Sequence, residues 1–285
     1  MRAPRWLRLY MAGDRMLESF VHGVRGLYDG IWLGVLDEDR LAQLDRAFYD
    51  DESAYVTDDY NLSGLIRWEQ AFLDEYVSPG GRVAVTGAGG GREVAALLSQ
   101  GYAPIGYEPH PRLAAAGADL VARLGHPGVL RHCGPHGWPG GTDRFDAVVL
   151  GWGSYMLISS RARRIALLRD ASEATGGRGP VLLSYFEVPP RRTQFVAATR
   201  VGRLVRRVRR RPPPVFGDAL APNFAHHFTL KQVREELAAA GLTLIAHGSD
   251  GYGWAVGRAD PGGAQAPSQG TSIDPSAREP GDEHE

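Results

Sequence analysis

RVAVTGAGGGREVAALLSQGYAPIGYEPHPR, residues Arg82 to Arg112, is the stretch that decides the fold of this chain. It reads as strand, glycine loop, helix and second strand. Val83 to Val85 is a short apolar run of the kind that suits a buried parallel strand. Gly87, Gly89, Gly90 and Gly91 then let the backbone turn sharply with no Cβ in the way. Helical periodicity restarts from Glu93 to Leu98. The first turn of that helix would aim free N–H groups and a positive dipole end at whatever lies over the glycines. Ile105 to Tyr107 forms the next strand, with Glu108 at its C-terminal tip. Glu108 follows Gly87 by about 20 residues, the separation at which an acid meets ribose hydroxyls in nucleotide-binding α/β folds. The ligand to consider is therefore a nucleoside with two free ribose hydroxyls.

The loop narrows the choice of nucleoside. A dinucleotide-binding loop reads G-x-G-x-x-G/A, and its third position must be small because the helix packs tightly on the strand there. Counted from Gly87, that position is Arg92, and the sequence fits G-x-G-x-G through Gly87, Gly89 and Gly91 instead. This spacing, followed by a strand ending in Glu, resembles the class I S-adenosylmethionine-dependent methyltransferases. FDAVVLGWGSYMLI (Phe145 to Ile158) is similar to that family's fourth strand and following loop, and GPVLLSYF (Gly179 to Phe186) to its fifth strand. HFTLKQVREELAAAGLTLIAHGSDGYGWAVGRA (His227 to Ala259) is similar to its last helix and closing hairpin. The resemblance covers roughly Tyr55 to Ala259.

The resemblance implies a Rossmann-like, seven-stranded, mostly parallel sheet with helices on both faces, a closing antiparallel hairpin and an N-terminal helical lid. It implies S-adenosylmethionine as cofactor, held by Thr86, Gly87, Ala88, Gly89, Gly91, Glu108, Pro109, Gly151 and Trp152. Tyr60, Tyr155 and Tyr185 are the acceptor-binding candidates it suggests. Two positions depart from the pattern. The acid that often stands two residues before the first glycine is Val85 here, followed by Thr86. The stretch after the third strand offers His132, His136 and Trp138 in place of the acid that often binds the adenine amino group.

The expected organisation is a helical N-terminal lid region over residues 1–78 and a methyltransferase-like domain over 79–259. Within that domain lies a basic acceptor-side insertion over 188–226, and a disordered tail over 260–285 follows. LDEDRLAQLDRAFY carries Asp37 as a helix N-cap with acids in the first turn. Tyr55, Tyr60 and Asn61 are candidate lid contacts or simply packing residues. In the insertion, Val201, Leu204, Val205 and Val208 fall on one helical face; Arg200, Arg203, Arg206, Arg207 and Arg209 to Arg211 cover the rest, and Pro212 to Pro214 stop the helix. After Arg258 the composition is Gly, Pro, Ser, Gln and acids, which cannot bury enough apolar surface to order itself.

Formal net charge is −1, so no global field favours nucleic acid or membrane. The single cysteine, Cys133, excludes an internal disulfide and suits a reducing cytoplasm. No apolar run approaches the roughly 18 to 20 residues that span a bilayer. Lys231 is the only lysine, so nearly all positive charge is arginine. No metal site is expected, because His132, Cys133 and His136 lack a second ligand cluster.

Methyl transfer is an in-line displacement in which the protein supplies position and, for a hydroxyl acceptor, a base. His227 is the candidate base, with packing or capping of the helix from Leu230 as its bland alternative. The expected activity is methyl transfer to a small-molecule acceptor, at oxygen. The alternatives are a nicotinamide-dependent oxidoreductase, which Arg92 opposes, and a non-catalytic binding protein that keeps the cofactor fold. The arginine helix admits an anionic acceptor, RNA or a membrane surface as well as a solvated structural role. No aromatics are interleaved with its arginines, which argues against single-stranded nucleic acid. The sequence leaves the acceptor and the oligomeric state open.

Overall fold

The computed structural model describes residues 4–135, 138–220 and 222–260. The chain divides into two units: one takes the residues up to Ser53 with 156–161 and 186–230, the other takes 54–155, 162–185 and the chain from Lys231 on. In chain order, α1 (Arg5–Val35) and α2 (Glu38–Asp51) open the first unit. A 3-10 turn (Ala54–Val56), α3 (Asp58–Asn61) and α4 (Arg67–Tyr76) open the second. There follow β1 (Arg82–Thr86), α5 (Arg92–Ser99), β2 (Ala103–Glu108), α6 (Pro111–Arg123), β3 (Leu130–His132) and β4 (Ala147–Leu150). Next come α7 (Ser154–Leu157), α8 (Arg161–Ala174) and β5 (Val181–Tyr185). The first unit then regains α9 (Thr193–Val208), β6 (Asp218–Leu220) and β7 (Phe224–His226). α10 (Leu230–Ala239), β8 (Leu242–Asp250) and β9 (Tyr252–Ala259) complete the second.

The second unit is built on a seven-stranded sheet in the order β3-β2-β1-β4-β5-β9-β8. β1 to β5 pair in parallel, and β9 runs antiparallel to both β5 and β8. The expected mostly parallel sheet with a closing antiparallel hairpin is therefore present. Its central strands are continuous apolar runs: Val83, Val85, Leu182 and Val256 are wholly buried. Burying such a side chain stabilises by about 1.5–3 kcal/mol. Trp68 and Phe72 of α4 and Val94 and Leu97 of α5 belong to the same core. α5 approaches so closely that a Cβ on Gly106 of β2 would come within 2.8 Å of a Val94 methyl.

The first unit joins α1 and α2 to the segment expected as an insertion. α1 packs on α9 along Gly26, Gly30 and Gly34, one face of the helix at steps of four. A Cβ there would meet the Gln194 carbonyl at 2.4 Å, the Ala198 carbonyl at 2.7 Å and Val205 Cβ at 2.4 Å. Inside this contact Asp29 is fully buried; Arg25 Nε lies 2.9 Å from its Oδ1 and Gln194 Nε2 donates to its Oδ2 at 2.8 Å. Burial nevertheless pushes the Asp29 carboxyl above its ordinary range. Leu33, Leu41, Ala198, Leu220 and Phe224 form a small core of this unit.

Several sequence expectations are modified. Residues 1–78 do not act as one region, because α1 and α2 belong with α9 whereas the chain from Ala54 belongs with the sheet. Asp37 caps α2 as expected, accepting from the Arg40 N–H at 3.1 Å. The apolar face of α9 follows the expected stripe only in part: Val201 and Val205 face Gly30 and Gly34 of α1. The buried residues of α9 are Phe195, Ala198, Thr199 and Gly202, while Leu204 and Val208 are 66% and 79% exposed. The glycine face of α1 decides which side of α9 can close on it.

The arginines also acquire a structural role. Arg206 donates to the carbonyls of Leu33 at 2.9 Å and Leu36 at 2.5 Å, and Arg209 and Arg211 donate to that of Val35 at 3.2 and 3.3 Å. The last carbonyls of a helix lack intrahelical partners and carry its negative dipole end, which cations satisfy. No described helix is long and apolar enough to cross a membrane. The expected tail, from residue 261, and His136 lie outside the described residues.

Candidate functional site

β1 lies between β2 and β4, so the chain changes its direction of travel across the sheet at that point. Ligands of such sheets bind beyond the strand carboxyl ends at this switch. The loop after β1 is built for close approach. The N–H groups of Gly87 and Ala88 both donate to the Tyr107 carbonyl, at 2.8 and 3.1 Å, which ties the loop to β2. Gly87 has φ +67° and Gly89 φ +55°, backbone that side chains other than glycine rarely adopt. A Cβ on Gly89 would meet nothing within 4 Å. The loop therefore has an open side at Gly89, while Ala88 and Gly90 are buried.

Glu108 ends β2 beside that opening and is 5% exposed. One carboxylate oxygen accepts from the Gly89 N–H at 2.7 Å and the other from the His110 N–H at 2.7 Å. These bonds fix the carboxylate beside the opening. Pro109 is exposed next to it, and the His110 side chain caps α6 through the Leu113 N–H. The Cys133 N–H donates to the Glu108 carbonyl at 3.0 Å. Burial first, and then the Glu108 charge, push the Cys133 thiol up to about 11.

The loop after β4 forms the third wall. The Gly151 N–H donates to the Thr86 carbonyl at 2.8 Å, and a Cβ on Gly151 would lie 2.3 Å from the Gly87 carbonyl oxygen. The Trp152 N–H donates to Glu93 at 2.9 Å, and its half-buried ring packs edge-on against Tyr252 at 5.1 Å. Thus Thr86, Gly87, Ala88, Gly89, Glu108, Gly151 and Trp152 converge at the end of three adjacent strands. Gly91 stands at the start of α5 with φ +100° and frames the loop from behind.

Sequence reasoning missed what holds these walls. Arg92, at the position that must be small in a dinucleotide loop, is 4% exposed. It donates to both oxygens of Glu69, at 2.8 and 2.7 Å, to Glu93 at 2.8 Å and to the Gly64 carbonyl at 2.8 Å. Burial opposes its charge, but the carboxylates of Glu93 and Glu69 outweigh burial and hold the guanidinium charged. Because Glu93 also accepts from Trp152, one buried network joins α4, α5 and the β4 loop. The adjacent Arg92–Glu93 pair was the only trace of it in the sequence.

The segment from Ala54 to Asn61 rests on the loop: a Cβ on Gly90 would lie 2.0 Å from the Tyr55 carbonyl oxygen and 2.5 Å from Asn61 Nδ2. Asn61 is 3% exposed and donates to the carbonyls of Tyr55 and Thr57, both at 2.9 Å. Its Oδ1 is buried with no hydrogen-bond partner among the described residues. Tyr60 packs edge-on against Tyr55 at 5.1 Å. Burial first, and then the Glu93 charge, push the Tyr60 phenol up to about 12, so it remains a proton donor at neutral pH.

The other tyrosines lie elsewhere. Tyr155 is 1% exposed and donates to Glu236 at 2.6 Å; Glu236 also receives two bonds from buried Arg164, at 2.9 and 2.7 Å. Tyr155, an expected acceptor contact, thus stands in a buried ion-pair cluster. Tyr185 is 2% exposed with its ring against Gly253 of β9, so it too packs the core.

In the first unit, His227 is half-buried between Phe186 and Phe195, with ring centroids 5.3 and 4.9 Å away. Its Nδ1 lies 3.3 Å from the Glu187 carbonyl oxygen. Burial holds the His227 pKa below its ordinary value, so the ring is neutral near pH 7. A neutral ring whose Nδ1–H donates to a carbonyl keeps its lone pair on Nε2. His226 is buried instead, with Nδ1 2.6 Å from Asp218. Among the described residues no cluster of His, Cys, Asp and Glu is arranged to hold a metal ion.

No family model matches the chain, and no curated protein matches its sequence. Solved structures do match its fold. A 1,6-didemethyltoxoflavin-N1-methyltransferase from Burkholderia thailandensis, solved with 1,6-didemethyltoxoflavin and S-adenosylhomocysteine, is 18% identical with a TM-score of 0.55 over 79% of this chain and 92% of that one. An S-adenosylmethionine-dependent methyltransferase from Methanosarcina mazei is 14% identical with a TM-score of 0.54, over 69% and 98%. The CcbJ methyltransferase from Streptomyces caelestis is 14% identical with a TM-score of 0.51, over 75% and 95%. The fold is that of the class I methyltransferases.

Proposed function

We propose that the chain is an S-adenosylmethionine-dependent methyltransferase that acts on a small molecule, at oxygen. The observation that carries this reading is the open backbone at Gly89 beside the buried Glu108 carboxylate, at the carboxyl ends of adjacent parallel strands. The residues fit the cofactor. A carboxylate at the tip of β2, as Glu108 is, suits the two ribose hydroxyls, and the face of Gly89 admits a ligand where any side chain would stand in its way. The Asn61 amide, with its unpartnered Oδ1, offers a polar group at the loop where Val85 supplies none.

When bound, S-adenosylmethionine supplies an electrophilic sulfonium methyl group. The chain's task is then to position, to exclude water and to move a proton. Gly87 and Gly89 set the loop, Glu108 orients the ribose, and Arg92 through Glu93 keeps Trp152 in place. His227 is the proposed base: neutral, with its lone pair on Nε2, it can accept a hydroxyl proton. Tyr60 is the acceptor contact retained from the sequence reading. The ligands bound by the Burkholderia enzyme support a small acceptor through shared fold alone. A single cysteine supports a cytoplasmic setting.

A nicotinamide dinucleotide fits less well, because its usual sheet is parallel and its loop needs a small third residue. Here β9 is antiparallel and Arg92 occupies that position. Calorimetric titration with S-adenosylhomocysteine tests the reading. Micromolar binding by the wild type, weakened about 100-fold in Glu108→Ala by loss of two charge-assisted hydrogen bonds, is expected. No binding by the folded wild type overturns it and leaves a non-catalytic protein of this fold.

A further inference from the structure

α1 is a 31-residue helix of which only the last third is buried against its neighbours. Among residues 5–21 all but Leu7 and Glu18 are exposed. The exposed side chains are nevertheless large and apolar: Trp6 and Tyr10 are each 69% exposed, Leu17 62% and Phe20 67%. Three aromatic side chains, Trp6, Tyr10 and Phe20, lie on this face, and at roughly 150–250 Å² of burial each when fully covered they alone reach the size of the largest apolar patch of a typical monomer. A solitary helical stretch of this length is also marginal in water.

The spacing identifies the occupant. Apolar side chains recur at alternating steps of four and three from Trp6 to Ile31, interrupted only by Gly13. This is the 3.5-residue period of a helix seam that receives another helix. Where α9 packs on Gly26, Gly30 and Gly34, the seam residues Val24, Leu27 and Ile31 stay 51%, 49% and 44% exposed, so the seam is free to be covered. We infer that α1 pairs antiparallel with α1 of a second copy of this chain. In that arrangement Trp6 meets Ile31, Tyr10 meets Leu27, Gly13 meets Val24 and Leu17 meets Phe20, so a small residue faces a branched one at the only gap. Parallel pairing would place Gly13 against Gly13 and leave a hole. It would also place Arg5 and Arg8 beside their own copies, whereas antiparallel pairing brings them toward exposed Glu38 and Asp39 at the opposite end. The overlap is about 40 Å long at the helical rise of about 1.5 Å per residue. That gives space for the roughly 800 Å² per partner of a stable interface.

Two other occupants fit less well. Residues 261–285 contain one large apolar side chain, Ile273, and cannot fill the seam. An anionic lipid surface favours a basic polar face. That of α1 mixes Arg5, Arg8 and Arg15 with Asp14 and Glu18, and Arg191 already pairs with Glu18.

Sedimentation equilibrium of the full chain tests the pairing. A dimer is expected at about 10 μM, where an interface of standard size associates. Leu17→Glu with Phe20→Glu should weaken it at least about 100-fold, since charge then faces charge in the central layer, while circular dichroism shows both units folded. Cysteines at Tyr10 and Leu27 in a Cys133→Ser background should cross-link only when the two single variants are mixed. A wild type that stays monomeric overturns the inference, as does a dimer indifferent to the central charges or a Tyr10→Cys protein that cross-links to itself. Monomers that co-sediment with phosphatidylserine vesicles would assign the face to lipid instead.

Discussion

Glycine and arginine do different work in the two units. In the sheet unit, Gly87 and Gly89 adopt backbone that other residues avoid, and the result is an open loop. In the helical unit, Gly26, Gly30 and Gly34 sit in ordinary helix and serve only to let two backbones touch. Arginine divides in the same way. Arg92 and Arg164 are buried against glutamates and stiffen the walls of the candidate site and the core behind it. Arg206, Arg209 and Arg211 lie at the surface and close the end of α1. Residue type alone did not announce which role applied. A run of arginine suggested an anionic partner, yet three of its members are engaged with carbonyls.

The contrast can be broken most severely at Arg92. Replacing it with Met leaves the buried Glu69 and Glu93 without their cation, and removing one partner of a buried ion pair costs about 3–5 kcal/mol. Urea denaturation should show that loss in the sheet unit, and S-adenosylhomocysteine binding should fall with it. Gly30→Leu attacks the helical unit instead. Its side chain would have to displace the Ala198 backbone, and such overpacking costs about 1–3 kcal/mol. Thermal unfolding should detect this, while cofactor binding in the sheet unit stays within about twofold if the loop residues account for it.

Arg206→Ala removes two hydrogen bonds to the end of α1 and should cost about 2 kcal/mol. Arg203→Ala on exposed helix should cost less than about 0.5 kcal/mol. Equal losses at the two positions would mean that the α1 contacts contribute nothing.

The smallest expected effect is titration of His227. Its pKa is lowered in the folded chain, so the unfolded chain binds the proton first as pH falls. The stability this group contributes is complete above its ordinary pKa of about 6.5 and declines below it as the folded value is passed. Wild type and His227→Asn compared by denaturation between pH 5 and pH 8 should differ in slope only at the acid end. If His227 is the base, the activity of the wild type should likewise hold to below pH 6.5 before falling.

Much of the sheet unit was legible because its signals are local. Val83 to Val85, the glycines and the period change at Glu93 each specify backbone over a few residues, and Glu108 sits where the strand they imply must end. The order of strands followed from matching such segments in series. The surroundings of the candidate acceptor tyrosines were not legible. Tyr155 reads like any loop aromatic, and only the fold reveals that its hydroxyl is spent on Glu236, 81 residues away. The α9 stripe held only at Val201 and Val205 for a similar reason, since periodicity gives a face but not what closes on it.

The sequence by itself determined the strand–loop–helix–strand frame, the open glycine turn and the carboxylate beside it, because these depend on steric limits within a residue and on hydrophobic period. Tertiary structure alone decided which charges are buried and what they hold. Arg92 finds Glu69 across 23 residues and Arg206 finds Leu33 across 173. A charge can leave water only where partners converge on it, and that convergence is a property of the folded chain rather than of any segment.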